Sequence, residues 1–408
     1  MFGLERGRVL SEIPRGFLWG AAISSYQCEG GNTASDWCVW ERQKKLTAAG
    51  DASRHYTLFD DDFSLARETG LNSLRFSLEW ARLQPAAGGW NEQEFAHYET
   101  VLSSLAAHQL VPFITLHHFT LPLWYAARGG FENPRNIDLF LRYLREAAVR
   151  FRDRAVYWII FNEPLVYIVN GYLRGIWPPG KKSLSSALRT LKNILSCYET
   201  AYQEMKQIYG SRECRISLSK HFRVFFPCNR YHIFDRLSSG VRAKSFNFWL
   251  DDLLARRRLL DFVGVNYYCG EFVRTKGLFG AECAHTGHAL SRNAVGWYLY
   301  PEGLKKILMR LKRLSLPVIV TENGTAETDE ARYAEYLRRH LEQVAAARAE
   351  GVDLRGYFWW SLIDNFEWDL GFGPRFGLYR VDYRTYERVM RPHAALYRDL
   401  IRGAGGGR

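Results

Sequence analysis

The chain of 408 residues has no run of 18 consecutive apolar residues, so no segment reads as a membrane-spanning helix. Cysteine is sparse: Cys28, Cys38, Cys197, Cys214, Cys228, Cys269 and Cys283 are odd in number, scattered, and form no Cys-x-x-Cys pair. That pattern speaks against a disulfide framework and against a metal cluster, and it fits a reducing cytoplasm. With 34 Gly and 13 Pro the chain has too little of either for a collagen-like class. Low hydrophobicity is missing as well, since 47% of residues are hydrophobic, and dominant disorder is excluded. Met1 to Leu10 carries Glu5, Arg6 and Arg8 and no apolar stretch, so no secretory signal is read there.

Acidic residues are in deficit: 43 Asp and Glu face 55 Lys and Arg, a net charge of +12. An excess of this size raises nucleic-acid binding as a class. The bases are spread along the chain, however, and the short clusters at 256–258, 305–306 and 338–339 fall in helix-like stretches. They read as solvated helix faces, with a weak preference for anionic surfaces left open and no nucleic-acid or membrane partner expected.

What the chain does have is alternation. Eight short apolar runs read as strands: Phe17–Ile23, Ser73–Leu78, Pro112–His118, Tyr157–Asn162, Arg215–Lys220, Phe262–Tyr268, Val318–Glu322 and Tyr357–Leu362. Between them lie helix-like stretches: Asp61–Thr69, Asn91–His108, Ile137–Phe151, Leu184–Tyr209, Gly303–Arg313 and Asp329–Glu350, with Ser183 and Thr328 placed to cap the fourth and the last. Continuous apolar strands alternating with helices predict a buried parallel sheet, and eight such units predict one α/β domain, a single (β/α)8 TIM barrel with extended loops on its C-terminal face. The catalytic domain is expected over residues 1–402, with a Gly-rich tail at 403–408.

Charged residues end two of the apolar strands. Asn162-Glu163-Pro164 follows the fourth, and Glu322-Asn323-Gly324 follows Val318-Ile319-Val320-Thr321. A carboxylate at the end of an apolar strand needs a partner, and in a barrel that position is the rim where chemistry occurs. One such Glu is ordinarily a helix N-terminal acid or a loop residue. Two of them, on strands three steps apart, face each other across the mouth. That arrangement suits glycoside hydrolysis, with one carboxyl raised in pKa to protonate the leaving oxygen and the other kept low to attack the anomeric carbon. Arg75, a charge inside Leu74-Arg75-Phe76, is a candidate partner holding one Glu ionised.

Other strand ends offer neutral donors among aromatic rings, which match the hydroxyls and C–H faces of a sugar. Because adjacent strand residues point opposite ways, only one of His117 and His118 faces the site. No helical His-Glu-x-x-His pattern accompanies them, and no metal is expected.

In these stretches the chain resembles glycoside hydrolase family 1, the retaining β-glucosidases and β-galactosidases, from about Gly16 to Leu400. The resemblance rests on Phe161-Asn162-Glu163-Pro164, Thr321-Glu322-Asn323-Gly324 and Trp360-Ser361-Leu362-Ile363-Asp364-Asn365-Phe366-Glu367-Trp368, with Phe17-Leu18-Trp19-Gly20, Ser24-Ser25-Tyr26-Gln27 and Leu74-Arg75-Phe76-Ser77 in support. It implies that Glu163 is the acid/base and Glu322 the nucleophile. It further implies that Asn162 bonds the sugar 2-OH, and that Arg75, Asn266 and Tyr268 hold the nucleophile. Gln27, His118, Trp360, Glu367 and Trp368 look like the sugar-binding set, Trp297 like the aglycone platform, and Phe376 like the closing ring. Glu367-Trp368 is similar to the branch that takes unphosphorylated sugars, because a bidentate carboxylate repels phosphate.

The family likeness implies a retaining β-glycosidase without cofactor, releasing β-glucosyl, galactosyl or fucosyl residues from small β-glycosides or oligosaccharides, and the cysteine usage is what makes it cytoplasmic in this reading. A transglycosylase on the same site and a catalytically silent sugar-binding protein are the alternatives. Two departures stand out. Phe119-Thr120 follows His118 where many members carry Trp-Asp. The segment 222–260 is compressed, which predicts a more open aglycone side and broad acceptor tolerance.

Overall fold

A computed structural model describes residues 13–14, 16–276, 280–283 and 290–404. The segment read as lacking a secretory signal lies outside them, as does the expected tail beyond residue 404. Eight strands form a ring in which every neighbouring pair is parallel. In chain order they are β1 (Leu18–Ala22), β2 (Ser73–Ser77), β3 (Val111–His117), β4 (Tyr157–Asn162), β5 (Arg215–Pro227), β6 (Val263–Arg274), β7 (Val318–Asn323) and β8 (Leu354–Trp360). The β5–β6 pairing closes the ring, and the fold is the (β/α)8 barrel.

Leu18, Phe113, Ile159, Phe262, Ile319 and Phe358 fill the lower interior, while alternate residues such as Leu74, Trp158, Ile160 and Val320 face the helices. The Ser73 hydroxyl and the Phe358 ring approach Gly20 so closely that a Cβ there would lie 2.4 Å from the ring, which explains a glycine inside β1.

The helices Ile137–Phe151 and Leu184–Tyr209 keep their predicted bounds, and Ser183 caps the latter, accepting from the Ser186 N–H at 3.3 Å. Three expectations need correction. The helix Glu330–Ala349 is capped by Asp329, whose carboxylate accepts from the Ala331 N–H at 2.9 Å, and not by Thr328. The first long helix starts at His55, earlier than Asp61, where the His55 ring meets Asp62 at 2.7 Å. Cys228 and Cys283 form a disulfide, where no disulfide framework was expected. Their backbone N–H groups bond Val273 O and Phe272 O on β6, each at 2.8 Å, and this non-local pairing sets their Cα atoms 5.7 Å apart. Cys28, Cys38, Cys197, Cys214 and Cys269 remain thiols.

The region 222–260 departs most from expectation. β5 does not stop at Lys220 but continues to Pro227, pairing with β6 above the barrel from Phe222↔Tyr267 to Pro227↔Val273. Two helices follow, α1 (Ile233–Phe246) and α2 (Trp249–Arg256). The Phe246 ring at the end of α1 packs on Phe225 and His221 at 5.8 and 5.9 Å. The β5–β6 extension and α1 form one wall of the barrel mouth.

Candidate active site

Two strand irregularities place the two acids. Between Ile159 and Asn162 the β4–β5 register shifts, so that both Ile160 and Phe161 pack outward and Asn162 turns into the mouth. Glu163 follows at φ 44°, with its N–H on Ser219 O at 2.8 Å. A second shift lies between Val320 and Asn323 in the β7–β8 pairing, and it delivers Glu322. Local bulges of this kind re-aim side chains beside active sites. A Cβ on Gly324 would stand 2.0 Å from Trp360 O, so only glycine lets the end of β7 pass that close to the end of β8.

Arg75 is 1% exposed and spans the mouth. Its Nε donates to Thr115 Oγ1 at 3.1 Å, Nη1 to Glu322 Oε1 at 2.5 Å, and Nη2 to Asn162 Oδ1 at 2.6 Å. Tyr268 donates to the other Glu322 oxygen at 2.5 Å. Asn266 donates to Asn162 Oδ1 at 3.2 Å and to Glu163 Oε1 at 2.8 Å, while its own carbonyl accepts from Thr321 Oγ1 at 2.7 Å. Asn162 is therefore the joint of one frame that holds both acids. Breaking a buried ion pair such as Arg75–Glu322 costs about 3–5 kcal/mol, because one charge is left alone.

Glu163 has a neighbour that the sequence reading missed. His221, on β5, sets Nδ1 at 3.3 Å from Glu163 Oε1. Arg223 donates from Nε to His221 Nε2 at 3.0 Å and from Nη1 to Glu271 at 2.8 Å, and Glu271 also takes Arg242 of α1 at 2.9 Å. Since Arg223 occupies Nε2 as a donor, the imidazole proton lies on Nδ1, facing Glu163. The only signal for this chain was polar residues alternating with aromatics after Lys220, in a strand read as ending there.

Burial pushes the Glu322 carboxyl up to about 7, with Arg75 opposing and the Glu163 charge adding to the rise. Burial works in the same sense on Glu163, but charge on His221, the His221 and Asn266 hydrogen bonds and Arg223 outweigh it, and its pKa falls below the usual carboxylate value. This order is the reverse of the expected one, and among the influences that lower Glu163 the largest is charge on His221. Burial, however, holds the imidazole itself below its usual range.

The remaining expected residues divide between two walls. His118 turns inward, its Nε2 3.2 Å from Asn162 Nδ2 and its ring stacked on Trp360 at 5.7 Å, whereas His117 packs outward against Phe131, Phe161 and Tyr167. Trp368 stacks on Tyr26 at 5.9 Å, and Trp360 donates to Glu367 at 3.2 Å. Burial pushes Glu367 up to about 8. Gln27 spends its amide on Asn365 and Phe366 O, at 3.1 and 2.8 Å. Phe119 fills the space beside Trp177 and Trp368, and Thr120 donates to Glu79. Across the mouth, Trp297 and Phe376 pack with Tyr268 at 5.5 and 6.4 Å. Among the described residues no group of three or more His, Cys, Asp or Glu is placed to hold a metal, and no helix is long and apolar enough to cross a membrane.

A parallel barrel whose mouth sets two buried carboxyls in one hydrogen-bonded frame, between walls of indole and phenol rings, defines a glycoside hydrolase. The family model for glycosyl hydrolase family 1 matches residues 9–258 and 235–405. The 1,4-beta-D-glucan glucohydrolase of Thermotoga neapolitana is 31% identical over 441 residues, covering 97% of this chain and 99% of that protein. The solved beta-glycosidase from Pyrococcus horikoshii superposes with a TM-score of 0.89 at 33% identity, covering 96% of this chain and 95% of that one. The beta-glucosidase from Thermotoga maritima in complex with glucoimidazole gives 0.89 at 29% identity, covering 97% and 99%. The chain belongs to glycosyl hydrolase family 1 and is a retaining β-glycosidase, β-glucosidase-like in its activity.

Proposed function

We propose that Glu322 attacks the anomeric carbon while Glu163 protonates the leaving oxygen. The C–O bond to the aglycone breaks as the Glu322–glycosyl ester forms, and the aglycone leaves with the Glu163 proton. A water then gives its proton to Glu163, attacks the same carbon and frees Glu322, so two inversions retain the β configuration. The observation that carries this reading is the Asn162 joint, which ties the Arg75–Glu322 pair and the Asn266–Glu163 pair into one geometry.

Protonation supports the same roles. At neutral pH a buried His221 is uncharged, and its strongest pull on Glu163 disappears. The proton shared by the two facing carboxyls then sits on Glu163, because Arg75 touches Glu322 directly whereas Arg223 reaches Glu163 only through His221. Asn266 and His221 both address Oε1 of Glu163, which leaves Oε2 to carry the proton toward the substrate.

The sugar is a terminal, unphosphorylated β-glucosyl residue, with galactosyl and fucosyl also accepted. Glu367, Gln27, His118, Trp360 and Trp368 take its hydroxyls and face, Asn162 its 2-OH, and Phe376 closes over it. Trp297 receives the aglycone. Glu367 disfavours a 6-phosphate by charge. We read residues 1–402 as one catalytic domain that acts on small β-glycosides or oligosaccharides in the cytoplasm. The five thiols support that location, and the one disulfide counts against it. A panel of nitrophenyl β-glycosides, with NMR of the first-formed anomer, tests the reading. It expects β-anomer first and fastest turnover on glucoside, galactoside or fucoside; α-anomer first would overturn it.

A further inference from the structure

The helix α1 is inside out. Its buried positions are Asp235, Ser238 and Ser239, while Ile233, Phe234 and Leu237 are 61%, 58% and 58% exposed and Tyr231, just before it, is 79% exposed. A helix on a water-facing surface normally does the opposite. The buried acid of this face is paired on both oxygens. Asp235 accepts from the N–H and hydroxyl of Thr275, both at 2.8 Å, and from the Asn229 N–H at 3.1 Å. The packing is therefore specific, and among the described residues it leaves an aromatic and aliphatic patch facing solvent.

The charge around that patch is mostly positive. Between Cys228 and Asn247 the bases are Arg230, Arg236, Arg242 and Lys244, and the one acid is the buried Asp235. Arg230, Arg236 and Lys244 are exposed, as are Arg274 and Lys276 on either side of Thr275; Glu282 is the exposed acid on this edge. Exposed aromatic and aliphatic side chains among bases are what a helix needs to lie in the headgroup layer of an anionic bilayer. The whole chain, at +12, is drawn the same way. The position matters too. The other end of α1 packs through Phe246 on His221, the neighbour of Glu163, so the patch crowns the wall from which the aglycone leaves.

We propose that Tyr231, Ile233, Phe234 and Leu237, ringed by Arg230, Arg236 and Lys244, seat this protein on an anionic phospholipid surface, where it takes β-glycosides whose apolar aglycone is held in the bilayer. The substrate half of this proposal rests on Glu163 marking the aglycone side; the docking half does not.

Co-sedimentation of the full chain with phosphatidylcholine vesicles, with and without phosphatidylserine, tests the docking. Binding is expected only with phosphatidylserine, and it weakens as salt rises. Phe234→Asp with Leu237→Asp abolishes it. Arg230→Gln with Arg236→Gln reduces it roughly thirtyfold, from about fivefold per base. Both variants keep the wild-type melting temperature and the wild-type rate on soluble nitrophenyl β-glucoside. On a long-chain alkyl β-glucoside embedded in the same vesicles they lose turnover in step with binding. No wild-type binding to phosphatidylserine vesicles, or binding that survives Phe234→Asp with Leu237→Asp, overturns the proposal. So does a dimer that this double variant dissolves without any vesicle binding, which would make the face a self-association surface. Intact binding with equal loss of embedded and soluble turnover on Glu163→Ala would instead refute the assignment of the aglycone side.

Discussion

Glu322 and Glu163 stand on two walls of one mouth, and the walls are built differently. The Glu322 wall is made inside the barrel: Arg75 from β2 and Tyr268 from β6 hold both its oxygens, and Arg75 is itself tied to β3 and β4. The Glu163 wall is hung from outside it. His221, Arg223, Glu271 and Arg242 lead from the acid up the β5–β6 extension to α1 at the surface. The first arrangement fixes where a sugar carbon must sit. The second builds the leaving-group side on the part of β5 and β6 that rises above the ring and on α1.

The comparison breaks first at Glu322. Glu322→Gly is expected to lower turnover by roughly four to six powers of ten on every glycoside, with the fold kept. Added azide then yields an inverted α-glycosyl azide and no retained product, as NMR of the product would show. Substituting Glu163 tests the other wall. Glu163→Ala is expected to slow alkyl glycosides about 10²–10⁴-fold while dinitrophenyl glycosides, which need no acid, lose far less. Equal losses on both would remove the acid/base assignment.

Arg75→Met sharpens the contrast in pH. Burial already lifts Glu322 to about 7 against the pull of Arg75, so removing the cation lifts it further. The reacting form is the anion, and the acid limb of kcat/KM moves to higher pH, with a loss of about 10²–10³ at neutral pH. An unmoved acid limb would show that Arg75 does not hold the nucleophile. The smallest effect is expected at His221. His221→Phe removes a donor that lowers Glu163, so the basic limb, where the acid loses its proton, also shifts upward. The rate loss is about fivefold, the worth of one hydrogen bond, and it falls on poor leaving groups. A downward shift of that limb would contradict the placement of the imidazole proton.

The two walls also differ in how far the amino-acid pattern revealed them. Glu163, Glu322 and Arg75 stand out because each interrupts an apolar strand, and a charge there demands a partner. His221 and Arg223 do not stand out: Lys220 precedes them, and their strand continues only because β6, some 45 residues later, pairs with it (Phe222↔Tyr267). The helix α1 hid for a related reason. Its buried face is Asp235, Ser238 and Ser239, so its periodicity does not announce a core-facing stripe. The Cys228–Cys283 bond depends on the same non-local pairing.

The division of labour between the walls is tested most directly by trapping the intermediate with a 2-deoxy-2-fluoro-β-glucoside carrying a good leaving group, followed by peptide mass mapping. A single fluoroglycosyl group on the peptide bearing Glu322, formed as one equivalent of leaving group is released, is the predicted result. A label on Glu163, or release of product with no covalent adduct at any time, would contradict it.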